Sequence, residues 1–363
     1  MKKSWLTFGL FVLLLVATLS LAQPACFAEQ SDQTFSVSPS LYAMPSGANF
    51  SVIWITDTQY LSESYPTYYD SLCRWIVNHA EQYKLKMVIH TGDIIEDEGN
   101  RTQWENANRS MSILLDADVP YCWNAGNHDY NSTCWIGDQY HAFNPEVLEY
   151  KPYWIGDVVD GQNTAVQFSV DNWTFLVLNI EYEASSEVLD WANNLLDSYP
   201  ESHAIVGAHS YLNTTAGYSV RGTAAAKWPL DFKANVLDTH GNVFLTLSAH
   251  HHPASGSRTK VGDRDELMFN RQDDNEQLGA ASLRILSFDL VAGKIYVQTY
   301  VLYANYFLDD QNNQFTLTTQ FYNYDLPVEE PDFTDFWAVA VLGAVVFIVV
   351  VVLILVYRRF RRS

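Results

Sequence analysis

The chain has 363 residues, with 42 acidic against 21 basic side chains and a net charge of −21. That excess repels polyanions at long range, which argues against nucleic acid as a partner. Hydrophobic residues at 48% exclude a disordered chain, and four cysteines are too few for a disulfide-built scaffold.

Residues 1–28 read as a secretory signal: Lys2 and Lys3 open it, an apolar stretch follows, and Ala22, Ala25 and Ala28 offer small residues for cleavage. Residues 29–48 are expected to be a linker, 49–325 a single folded domain, and 326–336 a juxtamembrane linker. The run 337–357 holds no charged residue and is long enough for a helix to cross a bilayer. The basic tail 358–363, with Arg358, Arg359, Arg361 and Arg362, belongs on the cytoplasmic side, so the domain before the span is expected outside. Six basic residues lie in these end segments, leaving 15 against all 42 acidic ones, a net charge near −27 for the exported part. Sequons at Asn49, Asn100, Asn108, Asn131, Asn172 and Asn213 permit glycosylation there. Cys122 and Cys134 are either a bridge or two free thiols.

Within the domain, apolar runs at 52–55, 86–90 and 119–123 predict strands, and amphipathic stretches at 68–83 and 102–115 predict the helices between them. Strand, helix, strand, helix, strand implies a parallel arrangement with right-handed crossovers. Further strands are expected at 164–170, 174–180, 203–208 and 243–248, with helices at 186–198 and 224–237. The segments 282–289, 294–302 and 315–321 alternate like antiparallel strands. Two stretches lack a period, 130–160 and 255–279, and each is a candidate rim beside a site.

Polar groups follow these strands one after another: Asp57-Thr58-Gln59, Gly92-Asp93, Gly126-Asn127-His128-Asp129, His209, and Ala249-His250-His251-His252. The carboxyl ends of strands are where ligands gather in open α/β sheets. Carboxylate, amide and imidazole suit divalent ions such as Mn, Fe or Zn. In an extended chain His250 and His252 point the same way and His251 points elsewhere. Singly, each group has an ordinary reading: Asp57 as a helix cap, Gly126-Asn127 as a turn, His209 as a core histidine. His79, His141, His203 and His240 are read that way, as is His90, unless it supports the Gly92-Asp93 loop by a hydrogen bond.

Taken together, the groups resemble the calcineurin-like metallophosphoesterase family, whose pattern is D-x-H, then G-D, then G-N-H-D/E, then H, then G-H-x-H. The resemblance implies an α/β fold, a four-layer αββα sandwich of two mixed β-sheets flanked by helices. It implies two divalent metal ions, the first held by Asp57, Gln59, Asp93 and His252, the second by Asp93, Asn127, His209 and His250. A hydroxide between the metals would attack the phosphorus of a phosphate mono- or diester. His128 would serve the leaving group, with Asp129 orienting it. Gln59 stands where the family most often has histidine, a harder, neutral ligand, and Ala249 stands where glycine is usual. The alternative is a catalytically inactive cell-surface binding module on the same fold, which would have no use for His128.

Overall fold

The computed structural model describes residues 43–130, 135–219, 228–252 and 256–321. The expected signal segment, the span at 337–357, the basic tail and Cys134 lie outside them. Among the described residues no helix is long and apolar enough to cross a membrane. Cys73 and Cys122 are buried free thiols.

The first half runs β1 (Phe50–Ile55), α1 (Gln59–Glu63), α2 (Pro66–His79), β2 (Leu85–His90), α3 (Arg101–Asp116), β3 (Tyr121–Trp123), β4 (Trp154–Val158), β5 (Asn163–Val170) and β6 (Trp173–Ile180). It continues through α4 (Ser186–Ser198), β7 (His203–Ala208), α5 (Trp228–Phe232), β8 (Val243–Ser248), β9 (Ser257–Val261) and β10 (Arg264–Met268). The chain closes with β11 (Ser282–Asp289), β12 (Lys294–Val301), β13 (Tyr306–Leu308) and β14 (Gln314–Thr318). Local chemistry sets the helix starts. Pro66 opens α2, the Asn100 side chain accepts from the Thr102 and Gln103 amides at the head of α3, and Ser185 caps α4 through Val188.

Two mixed sheets result. One has the order β13-β12-β11-β1-β2-β3, with β14 also on β12; the other has the order β4-β5-β6-β7-β8-β10-β9. β1, β2 and β3 pair in parallel, as do β6, β7, β8 and β10. β11 meets β1 antiparallel, with Val52 opposite Leu286 and Trp54 opposite Arg284. Alternate residues of β1, namely Phe50, Val52 and Trp54, enter one core with Val177 of β6, Ile205 of β7 and Leu247 of β8. That cluster fills the space between the sheets. The opposite residues of the second sheet, such as Leu178 and Val206, pack against Val188, Ala192 and Leu196 of α4 and Phe232 of α5. α2 and α3 pack on each other, and Trp75 of α2 stacks on Tyr300 of β12 at 4.6 Å.

Three departures from the expected elements have physical causes. The helix expected over 68–83 ends at His79, where the Tyr83 amide returns to the His79 carbonyl in a turn. Within 130–160, β4 pairs antiparallel with β5. Within 255–279, β9 and β10 form a hairpin whose inner strand is buried throughout, despite reading Arg-Asp-Glu-Leu-Met. Arg264 offsets its burial by pairing with Glu266 at 3.0 Å and Asp238 at 2.9 Å, while Lys260 holds Asp265. Hydropathy cannot register a strand whose charges are neutralised internally.

The fold brings the carboxyl ends of the parallel strands to one edge, where main-chain bonds tie the loops together. The Asp57 amide donates to the Gly92 carbonyl at 3.0 Å, Tyr182 to Ala125 at 3.1 Å, and Ala249 to His209 at 2.9 Å. The loops of both sheets thus close over a single polar floor.

Candidate metal centre

The backbone at this floor is strained in three places. Asp57, Asp93 and His250 adopt φ of 50°, 51° and 67°. This left-handed region is costly for residues with a side chain and tends to persist at functional sites. Two glycines make the loops fit. A Cβ on Gly126 would lie 2.2 Å from Asp93 Oδ1 and 2.3 Å from the Asp93 amide nitrogen. A Cβ on Gly92, whose own φ is 89°, would meet the Gly126 nitrogen at 2.7 Å. The Gly-Asp and Gly-Asn-His-Asp sequences are therefore two halves of one interlocked junction.

Around that junction ligand atoms face one another. His209 Nδ1 lies 2.8 Å from the Thr91 carbonyl, so Nδ1–H donates there and Nε2 faces inward. Nε2 is 3.1 Å from Asn127 Oδ1 and 3.3 Å from Asp93 Oδ2. Ligand atoms of Asp93, His209 and His250 all lie within 4.8 Å of one another. Burial opposes charge on both Asp93 and His209, yet each supports the other's charge, which holds the carboxyl below its usual value and the imidazole above; a cation bound there would displace the Nε2 proton. Asp57 is fully buried, and burial pushes its carboxyl well above the usual carboxylate range. Its Oδ1 has no hydrogen-bond partner among the described residues. A buried carboxylate oxygen without a donor, beside an amide oxygen and an imidazole nitrogen, fits a hard-to-borderline divalent cation.

Asp57 is oriented from below by a directional chain. The Trp54 indole donates to Thr91 Oγ1 at 2.8 Å, Thr91 Oγ1 to Thr56 Oγ1 at 2.7 Å, and Thr56 Oγ1 to Asp57 Oδ2 at 2.7 Å. His90 braces the neighbouring turn: its Nδ1 accepts from the Gly92 amide at 3.2 Å, and its Nε2 meets Thr58 Oγ1 at 2.9 Å.

Gln59 and His252 stand to one side of the Asp93, Asn127, His209 and His250 group. The Gln59 side-chain amide approaches the carbonyls of Asp57 at 2.9 Å and Asp93 at 3.2 Å. The His252 side chain, 41% exposed, meets Asp273 through Nδ1 and Gln272 through Nε2. His251 turns away to Ser219 Oγ at 2.6 Å. The Tyr182 ring lies 5.3 Å from His250 and 6.0 Å from His209, forming a wall.

His128 sits at the mouth. Its amide donates to Asp93 Oδ1 at 3.0 Å, and its ring Nδ1 lies 2.9 Å from the Glu96 carbonyl, with Glu96 Oε2 at 3.5 Å. Partial burial opposes the imidazolium, but Asp93 and Glu96 raise its pKa above the usual value. The resemblance implies that Asp129 orients this ring. In the structure the Asp129 carboxylate instead accepts three main-chain bonds, from Ile94 at 2.7 Å, Ile95 at 3.0 Å and Gly126 at 2.7 Å. Asp129 is thus a buried tie between two loops, because those amides converge on it. No pattern in the sequence distinguishes Glu96 from its acidic neighbours.

Residues 50–254 match the family described as calcineurin-like phosphoesterase. A protein of Bacillus subtilis, "Uncharacterized protein YvnB", is 29% identical over 281 residues, which are 73% of this chain and 21% of that protein. The chain therefore spans about a fifth of the length of the curated relative it matches. A dimetal phosphatase from Danio rerio superposes with a TM-score of 0.50 at 14% identity, over 75% of this chain and 100% of its own. A purple acid phosphatase from yellow lupin (Lupinus luteus) seeds gives 0.45 at 12% identity, over 75% and 54%.

Proposed function

Because this chain belongs to the calcineurin-like phosphoesterase family, we propose that it hydrolyses phosphate mono- or diesters with two divalent metal ions, outside the cytoplasm. The observation that carries the reading is the inward convergence of Asp93 Oδ2, Asn127 Oδ1 and His209 Nε2, three atoms able to ligate a cation. Asp57, Gln59, Asp93 and His252 would hold one ion, and Asp93, Asn127, His209 and His250 the other. When bound, such a pair of ions activates water and neutralises charge on phosphoryl oxygens.

The protein's own groups supply the rest. The Thr91 carbonyl keeps the His209 proton on Nδ1, and the Thr56 hydroxyl keeps Asp57 oriented, its other oxygen left for a cation that would hold it anionic. The Glu96 carbonyl holds the His128 ring by Nδ1, which leaves Nε2 as the atom that can donate a proton or hydrogen bond to a leaving oxygen. Location outside the cytoplasm rests on the signal-like start and the apolar run at 337–357.

The test uses the full chain in detergent, stripped with chelator and then supplied with Mn, Zn or Mg, against chromogenic mono- and diesters. Metal-dependent turnover lost in Asp93→Ala and His128→Ala is the expected result. Bound metal with no turnover on any ester would instead identify a binding module.

A further inference from the structure

We propose that Arg284 of β11 is a positioning residue for the metal ligand Asp57, acting through the ring and the N–H of Trp54. The proposal rests on the dimetal reading above and assigns a task to a buried charge that the ligand set leaves unused.

Arg284 is only 1% exposed. It lies directly opposite Trp54 in the pairing of β1 with β11, and its guanidinium enters the core between the sheets among Trp54, Phe269 and Phe315. Its hydrogen bonds go to neutral acceptors: Nε donates to Thr299 Oγ1 at 3.2 Å and Nη2 to the Asn312 carbonyl at 2.9 Å.

Arg264, also buried, shows what is missing: it is neutralised by Glu266 and Asp238, whereas Arg284 has no carboxylate in ion-pair contact among the described residues. Arg271 and Arg258 add like-charge repulsion to the cost of its burial, with Asp310 offsetting part of it. A buried charge so placed serves stability less well than an apolar side chain of similar volume would. Its position therefore points to a task other than holding the sheets together.

The neighbouring rings define that task. The guanidinium carbon lies 4.5 Å from the centroid of the Phe269 ring and 5.9 Å from that of Trp54, and the two rings meet edge to face at 5.5 Å. A cation over an indole face is attracted by the ring electrons and draws them away from the N–H, which makes that N–H a stronger donor. The Trp54 N–H is the first donor of the chain through Thr91 and Thr56 to Asp57 Oδ2. Every bond of the chain runs from the indole toward the carboxylate, so a stronger first donor polarises those after it. Arg284 thereby favours the arrangement that holds Asp57 by Oδ2 and leaves Oδ1 for the ion.

Calorimetric titration of the chelator-stripped full chain with Mn, together with urea denaturation of the same metal-free samples, tests this. Arg284→Met keeps an unbranched side chain without the charge. It is expected to unfold at a urea concentration no lower than wild type, yet to bind one Mn equivalent about 10-fold more weakly. Trp54→Phe keeps a ring and removes the N–H, and should weaken the same equivalent by a similar factor. The double variant should bind no more weakly than either single one, because both changes break one chain. Should the methionine variant not fold, Arg284→Gln, uncharged but able to bond Thr299, takes its place in the cycle. Wild-type Mn affinity in the Arg284 variant, or losses that multiply in the double variant, would make Arg284 a strut between the sheets and overturn the inference while leaving the dimetal reading intact. A wild-type chain that takes up no Mn would overturn that reading, and the inference with it.

Discussion

His209 Nε2 lies 3.3 Å from Asp93 Oδ2, while the other ring nitrogen is held by the Thr91 carbonyl. The pair joins the end of β7 in one sheet to the end of β2 in the other. Asp93 is assigned to both ions and His209 to one. Asp93→Asn is therefore expected to weaken both metal equivalents beyond the roughly 100-fold that loss of a supporting partner costs, and His209→Ala only one. Metal titration of the two variants separates these outcomes, and equal loss of both ions in His209→Ala would count against the assignment.

Gly126→Ala places a methyl where Asp93 Oδ1 and its amide already stand, at 2.2 and 2.3 Å. Forcing the loops apart should cost about 1–3 kcal/mol of stability, the usual scale of overpacking, and displace Asp93. Chemical denaturation checks the first effect and metal affinity the second. A variant with unchanged stability and unchanged affinity would show the junction to be slack.

The chain of hydroxyls under Asp57 should matter for metal binding more than for folding alone. Thr91→Val removes the donor to Thr56 and the acceptor for the Trp54 indole, whereas Thr91→Ser keeps both. The valine variant is expected to bind metal about 10-fold more weakly, with serine restoring wild-type affinity. If serine and valine behave alike, the loss reflects packing of the methyl group.

Asp129 is expected to behave as a tie rather than as a proton carrier. Asp129→Ala leaves three buried amides without their acceptor, which should cost about 3 kcal/mol or more. In the folded protein the pH profile of turnover should keep its shape, because His128 is held by Glu96. A shift in that profile without loss of stability would restore Asp129 to the proton-transfer machinery.

Burial raises the Glu181 carboxyl from 4.5 to about 7. The folded state then binds a proton that the unfolded chain releases between those values, so this contribution to stability is full below pH 4.5 and is lost as pH rises through 7. The loss amounts to at most about 3 kcal/mol. In chelator-treated protein, Glu181→Gln should flatten the fall in melting temperature across that window. An unchanged slope would place the titration elsewhere.

Much of this architecture is legible in the sequence because most strands are continuous apolar runs. The expected segments 186–198, 203–208, 243–248 and 282–289 coincide with α4, β7, β8 and β11. β10 escapes because its burial is bought with ion pairs, and β4 because Trp154–Val158 is half-buried with no alternation. The metal-ligand candidates are readable because chemistry restricts residue type at strand ends. Thr56, Thr91 and Glu96 are not, since hydroxyls and carboxylates are common and only the packed loops give these particular ones a partner.

The central claim is that ligands from both sheets share a pair of ions through Asp93. Anomalous diffraction from crystals of the full chain loaded with Mn tests it most directly. Two peaks about 3.5–4 Å apart with Asp93 between them are the result the account predicts. A lone peak remote from Asp93, or none, would contradict it.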